Sequence, residues 1–207
     1  MKQMSKLKFS PLNIVVCGIG GQGNVLASEL AASALTDLGY RVAVAETYGA
    51  SQRGGSVMSH VRVSDKEDLG VLIPPNEAHI IIGFEPLEAL RIARKYAGTD
   101  TVAVYDPRPI FPPSVLKGDK IYPPIEDIAK ELDELCVETI QVPATDIAME
   151  AGNSKSANIV LLGALCGLES FPLLPEEIEE VLKQRFKGSL LELNLKAFRM
   201  GLESIRK

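Results

Sequence analysis

The residues with the clearest chemical potential are the glycines of the sequence CGIGGQG, which arrange Gly18, Gly20 and Gly23 in a GxGxxG pattern. The pattern follows a continuous apolar run that starts at Leu12 and precedes an alanine- and leucine-rich segment with helical spacing. Glycines between a strand and a helix allow a tight turn and a close approach of a ligand to the backbone, while the free N–H groups at the helix start bind anions such as phosphate. The spacing therefore indicates a nucleotide or anion site at this turn.

Two interpretations of this glycine turn stay open from the residues alone. Glu46 follows Gly23 at about the distance expected for a ribose-binding acid, which favours a stand-alone dinucleotide-binding protein. Alternatively, the glycines only let a helix pack closely on a sheet, and Glu46 is a solvated strand end. A dehydrogenase would also need a proton donor beside the nicotinamide, and the two histidines, His60 and His79, occupy apolar strand-like surroundings typical of structural histidines.

A second polar loop, TYGASQRGGSV, follows the second predicted strand. Its glycines and hydrogen-bond donors are Gly49, Gly54, Gly55, Ser51, Gln52, Arg53 and Ser56. A guanidinium fork beside paired glycines matches the oxygens of a carboxylate or phosphate. Because the first and second strands of a doubly wound sheet end at the same edge, this loop and the glycine turn are predicted to face one crevice. The alternative is a surface turn with a solvated arginine.

The composition is that of an ordinary globular protein, with 46% hydrophobic and 24% charged residues among 207. A net charge of -5 argues against nucleic acid or an anionic membrane as the main partner. The cysteines, Cys17, Cys136 and Cys166, are far apart and form no CxxC pair, so this chain alone cannot build an iron–sulfur cluster or a zinc site. Without a signal peptide or a long apolar span, we expect a cytoplasmic protein.

The apolar periodicity predicts an α/β fold. Buried strands are predicted at 12–18, 41–46, 78–84 and 100–106, with a further strand within 137–144 and an alternating strand near a sheet edge at 57–64. Helices are predicted at 21–38 and 85–97, and again from Asn153, Pro175 and Gly188, and the prolines make most of 107–124 a surface loop. The first two strands close a βαβ unit. We predict one domain over 1–207, with a Rossmann-like, doubly wound, mostly parallel sheet core at 12–143, helices on both faces and a helical part at 144–207.

Three segments in this order, GIGGQG, TYGASQRGGSV and GNSKSANIVLLGAL, resemble the gamma-type subunit or domain of 2-oxoacid:ferredoxin oxidoreductases. The similarity covers about 13–167 and is closest to the small (beta) subunit of indolepyruvate:ferredoxin oxidoreductase, whose loop reads close to SQRGGSV. The pair of GGQG and QRGG is far more specific than GxGxxG alone. One departure is Ala50-Ser51, where many gamma subunits carry Pro-Glu, which favours the indolepyruvate-like branch and leaves the substrate open.

The resemblance implies a noncatalytic subunit of an assembly that oxidatively decarboxylates a 2-oxoacid to its acyl-CoA and passes electrons to ferredoxin. Thiamine diphosphate, magnesium and iron–sulfur clusters would belong to other subunits, which agrees with the missing cluster cysteines and with Gly118-Asp119-Lys120, which does not continue as a thiamine-binding Gly-Asp-Gly. The implied partners are the thiamine- and cluster-bearing subunits, and ferredoxin through the complex. A homodimer stays open as a further association. No cofactor is expected on the isolated chain, which should be inactive.

In this family the gamma domain lies close to the active-site region, near where coenzyme A binds in some members. The resemblance implies that positions of both loops face the partner subunit or the coenzyme. They are Gly18, Gly20, Gly21, Gln22, Gly23, Tyr48, Gly49, Gln52, Arg53, Gly54 and Gly55.

Overall fold

The structure is a computed structural model that describes residues 6–48, 55–66 and 68–205. Within these residues it contains one six-stranded sheet with the strand order β2-β3-β1-β4-β5-β6. The strands are β1 (Leu12–Ile19), β2 (Arg41–Tyr48), β3 (Ser56–Ser64), β4 (Ala78–Gly83), β5 (Ala97–Tyr105) and β6 (Glu138–Gln141). The pairs β1–β4, β4–β5 and β5–β6 are parallel, whereas β3 runs antiparallel to both of its neighbours. The sheet is therefore mixed but mostly parallel.

Helices cover both faces of this sheet, which confirms the predicted α/β fold. They are α1 (Asn24–Asp37), α2 (Pro86–Tyr96), α3 (Pro113–Leu116), α4 (Ile125–Leu135), α5 (Ala144–Ala151), α6 (Ala157–Cys166), α7 (Pro175–Arg185) and α8 (Gly188–Ile205), with a 3₁₀ turn at Ser154–Ser156. The apolar sides of α2 and α4 pack on one face of the sheet, and α1 packs with the C-terminal helices on the other. Each central strand is thus buried on both sides, as its continuous apolar sequence requires.

The place of β3 differs from the prediction. Its alternating sequence predicted an edge strand, but β3 lies between β1 and β2 and pairs with both over their full lengths. The predicted βαβ unit is present as β1, α1 and β2, but it is split, because β3 lies between its two parallel strands. β3 follows β2 along the chain and pairs with it as a hairpin, which places β3 between β2 and β1. Helix α1, which connects β1 to β2, crosses over β3 and contacts all three strands. Strand order of this kind depends on non-local pairing, which local periodicity does not report.

The later elements follow the predicted pattern with shifted boundaries. The segment from Pro107 to Pro124 is mostly irregular, as its prolines predict, and contains only the single turn of α3. The last strand is the short β6, and the described residues after it are mainly helical. Helix α6 is buried on almost every side because it lies between the sheet and the helices α5 and α8, which explains why its sequence is apolar all round.

Helices α6 and α8 cross in direct backbone contact at two glycines. A Cβ atom on Gly163 would lie 2.1 Å from the carbonyl oxygen of Phe198, and one on Gly201 would lie 2.0 Å from the carbonyl oxygen of Val160. No rotation of a side chain can relieve either overlap, because the obstructing atoms belong to the backbone. The C-terminal helix therefore reaches its position over the sheet only because both crossing residues lack a side chain.

We predict that Gly163→Ala and Gly201→Ala each lower the free energy of unfolding by about 3 kcal/mol or prevent folding, because the extra methyl group must push two helices apart. Urea or thermal unfolding measures the effect. Gly70→Ala is the matched control, since among the described residues its added Cβ would meet only the Arg62 guanidinium, at 3.9 Å, and we expect a change within about 0.5 kcal/mol. Equal stabilities of all three variants would contradict the close crossing.

Candidate functional site

The glycine turn after β1 is held by hydrogen bonds to two neighbouring strand ends. The amide of Gly20 donates to the carbonyl oxygen of Gly55 at 2.8 Å, immediately before β3 begins. The Gln22 side chain accepts a hydrogen bond from the Ile19 amide through Oε1 at 2.6 Å and donates one to the Phe84 carbonyl through Nε2 at 2.7 Å. The turn is thus connected to the start of β3 and to the end of β4, both at the edge where β1 ends.

Close packing accounts for two of the predicted glycines. A Cβ atom on Gly18 would lie 2.7 Å from the Phe84 Cβ. Gly23 has a φ of 86° and caps α1, and a Cβ there would lie 2.6 Å from Nδ2 of Asn158 in α6. Gly21, with a φ of 108°, differs from both because it is exposed and no atom of the described residues lies within 4 Å of its Cβ position. Its backbone is therefore the part of the turn that a ligand or partner can approach.

The strand order weighs against the dinucleotide interpretation of Glu46. That interpretation needs β2 beside β1, but β3 lies between them, so Glu46 is two strand spacings, about 10 Å, from β1. Its register partner is Ser59 of β3. An acidic side chain at this distance does not share a crevice with the glycine turn in the manner of a ribose-binding acid.

The second predicted loop is only partly described. Tyr48 is the last residue of β2, where its backbone pairs with Val57, and Gly55 contacts the glycine turn through Gly20. The remaining predicted site residues of this loop lie outside the described residues and are Gly49, Gln52, Arg53 and Gly54. The end of β2 and the start of β3 lie at the same edge of the sheet as the end of β1. The Gly55 end of the loop contacts the glycine turn, whereas the Tyr48 end lies one strand further away.

Two buried carboxylates adjoin the glycine turn, and the sequence analysis did not identify them as site residues. They are Glu85 and Glu88, at the start of α2, and both line a cavity of about 220 Å³ together with Ile19 and Ser56. The Glu88 carboxylate accepts hydrogen bonds from the Ser56 hydroxyl and from the Arg91 guanidinium, each at 2.5 Å. The order Glu-Pro-x-Glu at the start of a helix is a capping signal, which is the one feature of the sequence that could have drawn attention to them.

Glu85 accepts hydrogen bonds from three parts of the chain. It is 1% exposed, and its carboxylate caps α2 by accepting from the Glu88 amide at 2.9 Å. It also accepts from the Ile110 amide at 3.3 Å and from the Tyr122 hydroxyl. Burial is the largest influence on the pKa of Glu85 and raises it; the nearby Glu88 also raises this pKa, whereas the three hydrogen bonds each lower it, and the net shift is upward. Burial of the Tyr122 side chain and its hydrogen bond to Glu85 raise the pKa of Tyr122. The phenol therefore stays protonated and donates its hydrogen bond.

The histidines have structural partners away from this edge. His79 Nδ1 accepts a hydrogen bond from the backbone N–H of Asn13 at 3.0 Å, and the His79 ring stacks on Phe9. His60 Nδ1 accepts one from the Ile73 amide at 3.3 Å and its ring meets Tyr96 edge-on. Burial is the largest cause that lowers the pKa of each imidazole. Both rings are therefore packing groups, as their apolar surroundings predict.

The described part of the chain shows neither a cluster of metal ligands nor a helix that could span a membrane. There, no three His, Cys, Asp or Glu residues converge in a way that could hold a metal ion. The three cysteines are buried, and burial is the largest cause that raises the pKa of Cys17. Across these same residues, no helix combines the length and the apolar character needed to cross a membrane.

Comparison with known families decides the relationship of the chain. A family model described as pyruvate ferredoxin/flavodoxin oxidoreductase matches residues 13–204, which is nearly the whole chain. The chain belongs to this family. The match includes the glycine turn, the QRGG loop and the C-terminal helices, so the family resemblance inferred from three short segments is confirmed.

Individual relatives agree with this assignment. An indolepyruvate oxidoreductase subunit, IorB, of Archaeoglobus fulgidus is 42% identical over 190 residues, which cover 92% of this chain and 93% of the relative. The keto/oxoacid ferredoxin oxidoreductase gamma subunit from Geobacter sulfurreducens is 26% identical, with a TM-score of 0.67 and coverage of 94% and 98% of the two chains. A third relative is a 2-oxoglutarate:ferredoxin oxidoreductase from Magnetococcus marinus with 2-oxoglutarate, coenzyme A and succinyl-CoA bound. It is 25% identical with a TM-score of 0.74, and the match covers 96% of this chain and 32% of that longer chain. The family member thus shares its fold with a separate gamma subunit and with a part of a larger chain.

We predict that Gln22→Ala lowers the free energy of unfolding by about 1–3 kcal/mol, because the Ile19 amide and the Phe84 carbonyl both lose their partner. Gln22→Glu is expected to cost more at neutral pH, since a carboxylate would face the Phe84 carbonyl. Urea unfolding measures both changes. The control is Gln184→Ala on the exposed side of α7, for which we expect a change within about 0.5 kcal/mol.

The raised pKa of Glu85 predicts a pH dependence of stability. Below pH 4.5 the group is protonated in both the folded and the unfolded chain, and as pH rises through the higher folded pKa its stabilising contribution is lost. The difference in unfolding free energy between the wild type and Glu85→Gln should therefore decrease as pH rises from about 4.5. Urea titrations at several pH values measure this difference, and an increase with pH would contradict the shift.

Proposed function

We propose that this chain is a noncatalytic subunit of a multi-subunit 2-oxoacid:ferredoxin oxidoreductase, which oxidatively decarboxylates a 2-oxoacid to its acyl-CoA and passes electrons to ferredoxin. The observation that carries the proposal is the contact between Gly20 and Gly55, which brings the last residue of the QRGG segment against the glycine turn. It occurs in a chain whose residues 13–204 match the family. We further propose that the chain acts as one domain in the cytoplasm, with 12–143 as the sheet core and 144–207 as the helical part.

The proposed site comprises both loops, which would face a partner subunit and the coenzyme A region. An open backbone at Gly21 supports this role, because a phosphate or an amide of a ligand can approach an exposed glycine at the start of a helix. The residues proposed to contribute are Gly18, Gly20, Gly21, Gln22, Gly23, Tyr48, Gly49, Gln52, Arg53, Gly54 and Gly55. Gly18, Gln22 and Gly23 would act by shaping the turn, since their contacts are to the protein itself.

We propose that thiamine diphosphate, magnesium and the iron–sulfur clusters are held by other subunits. This proposal is supported by the cysteines, which are buried and lie on separate elements, and by the described residues, which bring no three metal-ligating side chains together. Coenzyme A has been observed in the complex from Magnetococcus marinus, which supports the presence of this coenzyme in the proposed assembly. The partners would be the thiamine- and cluster-bearing subunits, with ferredoxin reached through the complex.

The proposed substrate branch is that of indolepyruvate. It is supported by the 42% identity to the indolepyruvate oxidoreductase subunit, against 25% to the 2-oxoglutarate enzyme. Co-expression with the candidate partner subunits, followed by assays with aryl and aliphatic 2-oxoacids, tests both the function and the branch. An isolated chain that binds NAD, NADP or FAD at micromolar affinity, about 8 kcal/mol, would instead favour the dinucleotide interpretation.

We predict that Arg53→Ala in the assembled complex lowers kcat/KM for the 2-oxoacid or for coenzyme A by roughly 10- to 100-fold, because a charged hydrogen bond of about 1.5–3 kcal/mol is lost. Steady-state ferredoxin reduction measures this effect. The control is Arg41→Ala, at the opposite end of β2, which should leave turnover unchanged. If Arg53→Ala leaves both assembly and turnover as in the wild type, the role proposed for this loop is wrong.

A further inference from the structure

Ser56, the first residue of β3, donates a hydrogen bond to a buried acid of α2. Its hydroxyl lies 2.5 Å from Oε2 of Glu88, whose side chain is 7% exposed. Ser56 directly follows Gly55, and the Gly55 carbonyl accepts a hydrogen bond from the Gly20 amide of the glycine turn at 2.8 Å. The bond from Ser56 to Glu88 therefore holds the part of β3 that the glycine turn contacts.

We propose that Glu88 is a positioning residue of the site: through Ser56 it keeps the start of β3 against the glycine turn and thereby fixes the exposed backbone of Gly21. The Gly21 backbone is the part of the turn that a ligand or partner can approach. Glu88 itself would not touch that ligand. This role rests on the proposed function, because the position of the turn matters for turnover only if the turn belongs to the site.

A closed ring of hydrogen bonds connects the glycine turn, the start of β3 and the junction between β4 and α2. On one side, Gln22 Nε2 donates to the Phe84 carbonyl at 2.7 Å, just after β4. On the other side, Ser56 donates to Glu88, four residues after Phe84 in the chain. The bond between the turn and the Gly55 carbonyl closes the ring. The turn and the start of β3 are thus both held to one junction, which fixes their positions relative to each other.

The Glu88 carboxylate has a fixed orientation within this ring. The backbone amide of Glu88 donates to Glu85 Oε2 at 2.9 Å, which caps the first turn of α2. Glu88 Oε1 accepts from the Arg91 guanidinium at 2.5 Å, one helical turn along, while Oε2 accepts from Ser56. Another rotamer would break both bonds and leave a buried carboxylate without donors, which costs free energy. Glu88 is therefore a rigid acceptor for the Ser56 hydroxyl.

The ion pair with Arg91 does not by itself account for this buried carboxylate. The Arg91 side chain is 55% exposed, and ion pairs with an exposed partner contribute little stability. A buried carboxylate needs donors for both of its oxygens, and the second donor here is Ser56, an exposed residue. The bond to Ser56 thus gives Glu88 a role that the ion pair lacks, because it joins a buried group of α2 to the surface at the start of β3.

We predict that Ser56→Ala raises the hydrogen-exchange rate of the Gly20 amide in the folded chain at least about tenfold, because the Gly55 carbonyl is then free to move away from that amide. Nuclear magnetic resonance of the isolated chain measures the rate. Glu88→Ala should have the same effect. Ser56→Thr keeps the hydroxyl and should exchange as the wild type does.

An internal reference separates positioning from a general loss of stability. The Phe84 amide donates to the Cys17 carbonyl at 2.8 Å, and its exchange rate should not change. Equal acceleration at Gly20 and Phe84 would mean that the serine bond only stabilises the fold, and no acceleration at Gly20 would mean that it does not hold the turn. Either result overturns the proposal. Ser10→Ala is the matched control, since it removes the bond of another exposed serine to a carboxylate, that of Asp65 at 2.6 Å, and should leave Gly20 unchanged.

The assembled complex tests whether this position matters for turnover. Ser56→Ala should raise KM for coenzyme A or for the 2-oxoacid about threefold or more, with kcat within about twofold of the wild type, because a misplaced backbone weakens binding in the ground and transition states alike. Ser56→Thr should restore the wild-type KM. Glu131→Gln is the matched acid control, because Glu131 of α4 bonds another arginine of α2, Arg94, at the surface, and it should leave both constants unchanged.

The two kinds of measurement separate this role from the function on which it rests. If Ser56→Ala accelerates exchange at Gly20 but leaves KM unchanged in an active complex, the positioning role is wrong and the function stands. If the wild-type complex reduces ferredoxin with none of the 2-oxoacids, the proposed function is wrong. The Gly20 exchange rate in the isolated chain then still decides whether Glu88 holds the turn.

Discussion

The arrangement of this edge depends on one amide side chain. Gln22 accepts from the Ile19 amide and donates to the Phe84 carbonyl, so a single group closes the glycine turn and ties it to the next parallel strand. An amide is suited to this place because it carries both an acceptor and donors. With the turn fixed, the Gly20 amide reaches the Gly55 carbonyl, so the residue before β3 is held beside the glycine turn. The glutamine of the GGQG sequence therefore has a structural role, because both of its hydrogen bonds are made to the backbone of this chain.

The buried Glu85 carboxylate connects this edge of the sheet to the proline-rich segment at the surface. Glu85 is desolvated, but the Glu88 amide, the Ile110 amide and the Tyr122 hydroxyl compensate for much of that cost. Through these bonds the start of α2 determines the position of a proline-rich segment more than twenty residues further along the chain. Glu88 connects the same helix start to Ser56 at the beginning of β3. The end of β1, the start of β3 and the proline-rich segment thus meet around the carboxylates of Glu85 and Glu88.

This organisation suits a subunit that shapes a site shared with other chains. At this edge the polar side chains of Gln22 and Glu85 bond within the chain, while the Gly21 backbone and apolar side chains such as Ile121 are exposed. An exposed backbone and apolar side chains can contact a ligand or another subunit, but they supply neither a nucleophile nor a group for acid–base catalysis. The family match over 13–204 agrees with such a role, as does the shared fold with a separate gamma subunit and with part of a larger chain.

The sequence by itself determined the strands, most helices, the glycine turn and the family, because these depend on local periodicity, on glycine spacing and on short segments read along the chain. It also predicted that the first two loops share an edge. Only the tertiary structure decided that β3 lies between β1 and β2, since that order depends on pairing between distant residues. Only the folded chain shows why residue 23 is a glycine, because a Cβ atom there would overlap Asn158 on a helix far along the chain. It also shows the roles of the buried Glu85 and Glu88, whose partners converge only when the chain is folded.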